Sequence, residues 1–337
     1  MEVKHGKTYL LRIVNAVMDE SLFLAVAHHK LVVVGTDGFY TKPFETNYIM
    51  ISPGQSMDLL LKADQPPASY YLAAAAYSSA FGAGFDNTTT TAILHYQSSP
   101  PQQHRNDPLL PPHDATLAST EFTRRLRSPP AAAKNLPTEV DTRVLITASV
   151  NLLNCSGCAG PFGKRFAASL NNISFVPPST DVLQAYYRRI GGVFEADFPE
   201  KPAREFDYTG ENLPGEVLAA EMGTRALVVE YNASVEMVLQ GTNVVASDNH
   251  PMHMHGYGFY VVGWGFGNFD PEKGPLGYNL DDPPQETTVG IPKDGWVALR
   301  GVVAALSFGE ASDVGDEYSY SGQKWGSFSH QIASSTS

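Results

Sequence analysis

Three of the ten histidines fall inside one heptapeptide, His250-Pro251-Met252-His253-Met254-His255-Gly256. A neutral imidazole nitrogen suits copper and other late transition metals, and it needs no buried charge. On an extended chain, residues two apart share a face, so His253 and His255 point the same way. His250 lies three and five positions earlier, has the opposite parity and should serve a different site. Pro251 cannot donate to a sheet ladder, which puts the segment at a strand edge or entry, where ligand loops lie. The plainer alternative is a strand end whose histidines make ordinary hydrogen bonds. Three imidazoles in six positions followed by glycine favour the metal. Met252 and Met254 could bind Cu(I), but packing into a core suits them better. The other histidines show no such grouping. His28 and His29 are adjacent, and neighbours on a strand face opposite ways.

Only two cysteines occur, Cys155 and Cys158. A zinc site needs about four ligands, and no second Cys or His pair stands at a matching spacing. No βαβ pattern surrounds the pair, so a thioredoxin-like role finds no support. A local disulfide or two free thiols remain. Acceptor sequons for N-glycosylation start at Asn87, Asn154, Asn172 and Asn232; the pattern is loose enough to arise by chance. The opening residues, MEVKHGKTYLLRIVNA, lack the apolar core of about 7–15 residues that marks a signal peptide.

The elements that must position these residues read as strands. In residues 1–97 short apolar or alternating runs cover 8–14, 22–34, 48–52, 57–61, 70–76 and 89–96. Turn signals such as Thr36-Asp37-Gly38 and Pro53-Gly54-Gln55 separate them. Residues 98–138, rich in Pro and Ser, read as a linker over the surface. From 139 to 306 strands are expected at 144–148, 225–231, 235–240, 258–262 and 296–299, with long loops over 177–216. Residues 307–337 are rich in Ser and Gly and are expected to be disordered. The fold class is therefore all-β, two sandwich domains joined by a Pro-rich linker.

Composition sets outer bounds. The 337 residues suit about two domains. Hydrophobic residues at 43% can build real cores, and 17% charged is too few for a solvated coil. Lys and Arg total 23 against 35 Asp and Glu, a net charge of -12. That balance argues against binding to nucleic acid or an anionic membrane surface, which requires clustered cations. No apolar run approaches the ~18 residues of a membrane helix.

The motifs together resemble the multicopper oxidases of the plant laccase type. GKTYLLRIVNA, HHKLVVVGTDGFYTKPFET and ISPGQSMDLLLKADQ resemble the start of that family's second cupredoxin domain. RFAASLNNISFVPPST, YNASVEMVLQGTN, NHPMHMHGYGFYVVGWGFGNFD and DPPQETTVGIPKDGWVALR resemble its third. The resemblance implies cupredoxin-like Greek-key sandwiches, oxidation of phenols and diphenols of the lignin type, reduction of O2 to water, and an extracellular, apoplastic location. It also implies copper, with His250 on the type-1 ion, His253 on the type-2 ion and His255 on a type-3 ion. Against that pattern, the family's amino-terminal domain with its HWHG and HxH motifs is expected to be absent. The HCHxxxH segment expected after WVALR is likewise not found. A chain so built offers one type-1 imidazole and two of the eight cluster histidines. The competing expectation is thus a non-catalytic cupredoxin module that binds copper weakly.

Overall fold

The computed structural model describes residues 1–18, 20–97, 104–105, 107–158, 160–303, 309–311 and 329–331, with backbone alone at 104–105, 161, 303, 309–311 and 329–331. Each half of the chain is a pair of facing sheets. In the first, one sheet runs Glu2–Val3, Thr90–Tyr96, Ser69–Tyr77, Ser21–Val26, Tyr48–Ile51. The facing sheet runs Thr8–Val14, Ser56–Lys62, Leu31–Thr36, Phe39–Thr46. Period-two burial explains the arrangement. In Ser56–Lys62 the alternate residues Met57, Leu59 and Leu61 are buried, and they meet Phe23, Ile49 and Ile51 from the other sheet.

The apolar run over 22–34 is two strands rather than one. Ser21–Val26 and Leu31–Thr36 belong to different sheets, and the chain crosses between them where His28 takes a φ of 61°. Both strands are buried, and the crossing is marked only by the short polar turn His28-His29-Lys30, whose first and last residues are exposed. Phe39–Thr46 carries Pro43 and polar residues; it forms a strand at the sheet's edge, where a missing N–H costs nothing.

Residues 107–138 carry the helix Thr116–Arg124, and Phe122 and Leu126 are buried in the core of the first half. Phe122 packs against Phe44 and Tyr48 in tilted arrangements at ring separations of 5.8 and 6.4 Å.

In the second half the larger sheet runs Glu221–Gly223, Ile173–Phe175, Lys164–Leu170, Thr142–Asn154, Ala233–Gly241, Gly295–Val303, Phe259–Phe266, Gln285–Glu286. The smaller runs Thr288–Ile291, His250–Met254, Ser329–Gln331, Gly309–Ala311. Val144, Ile146, Met237, Leu239, Met252, Val289 and Val297 fill the space between. Residues 225–231 form no regular strand: Arg225 makes an isolated bridge to Glu195 and Ala226 exchanges backbone hydrogen bonds with Glu195 and Phe198, while Leu227 and Val229 are buried in the core of this half. A helix, Val182–Arg188, lies in the Pro- and Gly-rich stretch, capped by the Asp181 carboxylate accepting from the Gln184 N–H at 2.8 Å. The rest of the tail beyond residue 303 lies outside the described residues. No helix among the described residues is long and apolar enough to cross a membrane.

The two halves are tied by polar contacts. Lys42 Nζ meets Asp282 Oδ2 at 2.7 Å, with Arg127 Nε 3.4 Å from Oδ1. Lys293 Nζ donates to the Ser79 carbonyl at 2.6 Å.

Candidate metal centre

The histidine strand His250–Met254 pairs antiparallel with Thr288–Ile291, so that His250 faces Ile291 and His253 faces Thr288. Pro251 sits opposite Gly290. Met252 points into the core, 5% exposed, and Met254 packs at the core's margin.

His250 is 5% exposed, and His253 is half-buried. Burial lowers the His250 pKa, with the Asp248 carboxylate opposing the shift. Burial also lowers that of His253, helped by neighbouring His255 and opposed by Asp37. Both rings are therefore neutral near neutral pH, the form a metal takes. His255 is exposed, and its ring stands 4.9 Å from that of His253 at 82°. These two rings form one pair, while His250 lies apart in the core. Gly256, at a φ of 82°, follows directly after.

The second layer around these rings comes from both halves. His253 Nδ1 is 2.8 Å from Thr288 Oγ1. This leaves Nε2 as the nitrogen a metal would take. Thr288 is fully buried; its N–H and that of Thr287 donate to Asp37 Oδ2, each at 2.9 Å, and its carbonyl accepts from Gln55 Nε2 at 3.4 Å. At the other end of the strand, Asp248 Oδ1 accepts from the Ser79 hydroxyl at 2.5 Å and from the Asn249 N–H at 2.7 Å. Glu286, 1% exposed, directly precedes Thr287 and Thr288; burial and then Asp37 raise its pKa well above the usual carboxylate range.

Sequence reasoning had no hold on Thr288 or Ser79, whose roles come from pairing across 35 and 169 residues, and it saw Gln55 only as part of a turn. Asp37 was visible merely as part of a turn. Asp248, two residues before the motif, was the one carboxylate its position could have flagged.

The donor set suits copper in kind: neutral imidazoles, with one ring oriented through its far nitrogen. Among the described residues, however, no group of three or more His, Cys, Asp or Glu converges. Cys155 and Cys158 are bonded to each other, in the connection between Thr142–Asn154 and Lys164–Leu170. A disulfide offers no thiolate to a metal. Of the sequon asparagines, Asn87, Asn154 and Asn232 are exposed. Asn172 is half-buried, with Nδ2 donating to the Ala219 carbonyl at 3.2 Å and Oδ1 accepting from Asn151.

Multicopper oxidase family models match residues 1–99 and 197–308. Laccase-14 of Arabidopsis thaliana is 59% identical over 302 residues, covering 88% of this chain and 52% of the relative. Laccase-2 of Oryza sativa subsp. japonica is 45% identical over 302 residues, 89% of this chain and 53% of the relative. The chain thus spans about half the length of these relatives. Among solved structures, the laccase from Botrytis aclada aligns with a TM-score of 0.60 at 18% identity, covering 91% of this chain and 49% of that one. Fet3p, a multicopper oxidase that functions in iron import, aligns at 0.59 with 18% identity, over 90% and 52%. Those likenesses speak to the fold, two cupredoxin-like sandwiches. The sequence matches speak to kinship: this chain belongs to the multicopper oxidase family, among the plant laccases.

Proposed function

We propose that the chain carries the copper-histidine strand of a laccase-type oxidase acting on small phenols and diphenols, with O2 as the electron acceptor. The observation that supports it is the split of one heptapeptide into a buried ring, His250, and an adjacent pair, His253 and His255. In this reading His250 holds the copper that faces substrate, and the pair holds copper of the oxygen-reducing cluster. Bound copper supplies one-electron redox chemistry, so that four phenols each lose one electron while O2 gains four electrons and four protons to become two waters. The protein's own part is to keep His250 and His253 neutral by burial and to fix the His253 ring through its hydrogen bond with Thr288. An apoplastic location accompanies this reading, supported by the exposed sequons at Asn87, Asn154 and Asn232.

A second reading, a copper-binding cupredoxin module without turnover, is favoured by one observation: no three metal donors converge among the described residues. An oxygen electrode separates the two. The copper-loaded chain is given a diphenol, with metal content measured alongside. Phenol-dependent oxygen uptake that His250→Ala abolishes supports the oxidase; copper bound without uptake supports the module.

A further inference from the structure

We infer that Asp37, in the first sandwich, is a positioning residue for His253 in the second, acting through Thr288. The inference rests on the reading of His253 as a copper ligand and adds the device that presents it.

Asp37 divides its carboxylate between the halves. Oδ1 accepts from the Ser56 N–H at 2.9 Å within its own domain, and Oδ2 accepts from the Thr287 and Thr288 N–H groups, both at 2.9 Å. The Asp37 backbone is also anchored, its N–H donating to the Ser56 carbonyl at 2.9 Å. A carboxylate taking three N–H donors is a strong, directional clamp, because each bond is charge-assisted. Gln55 completes it by donating to the Thr288 carbonyl at 3.4 Å, its own Oε1 held by the Ser52 N–H at 3.1 Å. Thr288 is thereby gripped at N–H and C=O by the other domain, and it is fully buried. Its hydroxyl then has a fixed place, 2.8 Å from His253 Nδ1.

The chemistry of a neutral imidazole gives this contact its purpose. One nitrogen carries the proton and the other the lone pair, and the bond made by one decides which is offered to a metal. With Thr288 Oγ1 accepting, the proton is placed on Nδ1 and the lone pair on Nε2. The carboxylate sets the threonine, and the threonine sets the tautomer and the ring plane. Partners of this kind in metal sites change affinity by about 10–100-fold when removed.

The test uses the full-length chain, metal-free, labelled with 15N-histidine, in long-range 1H–15N correlation spectra; His253 is assigned by its loss in His253→Gln. Thr288→Val removes the hydroxyl and keeps the shape, and Thr288→Ser restores the hydroxyl. Asp37→Asn suits the backbone, because asparagine tolerates the positive φ of 50° at this position. Its single oxygen cannot serve Ser56 and the 287/288 pair together. The expected result is an Nδ1-protonated His253 in the native chain and in Thr288→Ser. Thr288→Val and Asp37→Asn should both move it toward the Nε2-protonated form, with His255 unchanged. A His253 protonated on Nε2 in the native chain overturns the inference, as does a tautomer unmoved by either Thr288→Val or Asp37→Asn. Chelator-competition titration with Cu(II) then reads the consequence, a loss of about 10–100-fold in affinity for Thr288→Val. If the tautomer behaves as expected but the native chain takes up no copper, the ligand reading fails and the positioning role stands.

Discussion

Ser79 and Asp248, 169 residues apart, are joined twice: the Ser79 hydroxyl reaches Asp248 Oδ1 at 2.5 Å, and the Ser79 N–H reaches the same oxygen at 3.2 Å. The Asn249 N–H closes the group by donating to Ser79 Oγ at 3.0 Å. The entry to the histidine strand is therefore built from both sandwiches, two residues before His250. Ser79→Ala should cost about 1.5–3 kcal/mol, the range for a hydrogen bond to a charged group. Urea unfolding of the two proteins measures it, and an unchanged midpoint would show the clamp to be idle.

Phe122 anchors the helix Thr116–Arg124 in the first core at 2% exposure. Phe122→Ala should destabilise by about 3–5 kcal/mol, as for other buried aromatics. A loss below about 1 kcal/mol would mean that the helix merely lies on the surface.

The two sandwiches were legible in the sequence because their strands alternate, as Met57, Leu59 and Leu61 do, and turn signals separate them. The division of His250 from His253 and His255 was legible too, from parity alone. The helix over 116–124 was not, since Phe122 is its single large buried residue and offers no period to detect. Nor was the crossing at His28, where apolar strands flank the bend on both sides. The clamps by Asp37 and Ser79 are products of the tertiary fold, and local pattern holds no trace of them.

His29 is buried between Ala27 and Tyr96: Nδ1 is 2.7 Å from the Ala27 carbonyl and Nε2 is 2.8 Å from the Tyr96 hydroxyl. Burial lowers its pKa, outweighing the opposing Ala27 hydrogen bond and Asp64 charge. A folded pKa below the unfolded value of about 6.5 gives stability that is complete above that pH and is lost as pH falls through the folded value. Native protein should therefore lose more stability between pH 7.5 and 5 than His29→Gln does. Denaturant unfolding at the two pH values reads the difference, and equal losses would contradict it.

Glycosylation should distinguish the sequons. Asn87, Asn154 and Asn232 are exposed, whereas the Asn172 amide is engaged with Ala219 and Asn151. Glycopeptide mass spectrometry of the chain made in a secretory host should find glycan at the first three and none at Asn172. Full occupancy at Asn172 would mean that its loop opens before or after folding.

The division of labour in the heptapeptide is tested most directly by copper stoichiometry in single variants, measured by equilibrium dialysis with Cu(II) and electron paramagnetic resonance on the same samples. His253→Ala and His255→Ala should each diminish the copper held by the cluster pair and leave the His250-dependent signal, while His250→Ala should do the reverse. Loss of one common signal in all three variants would show that the histidines hold a single ion, and the two-station arrangement would be wrong.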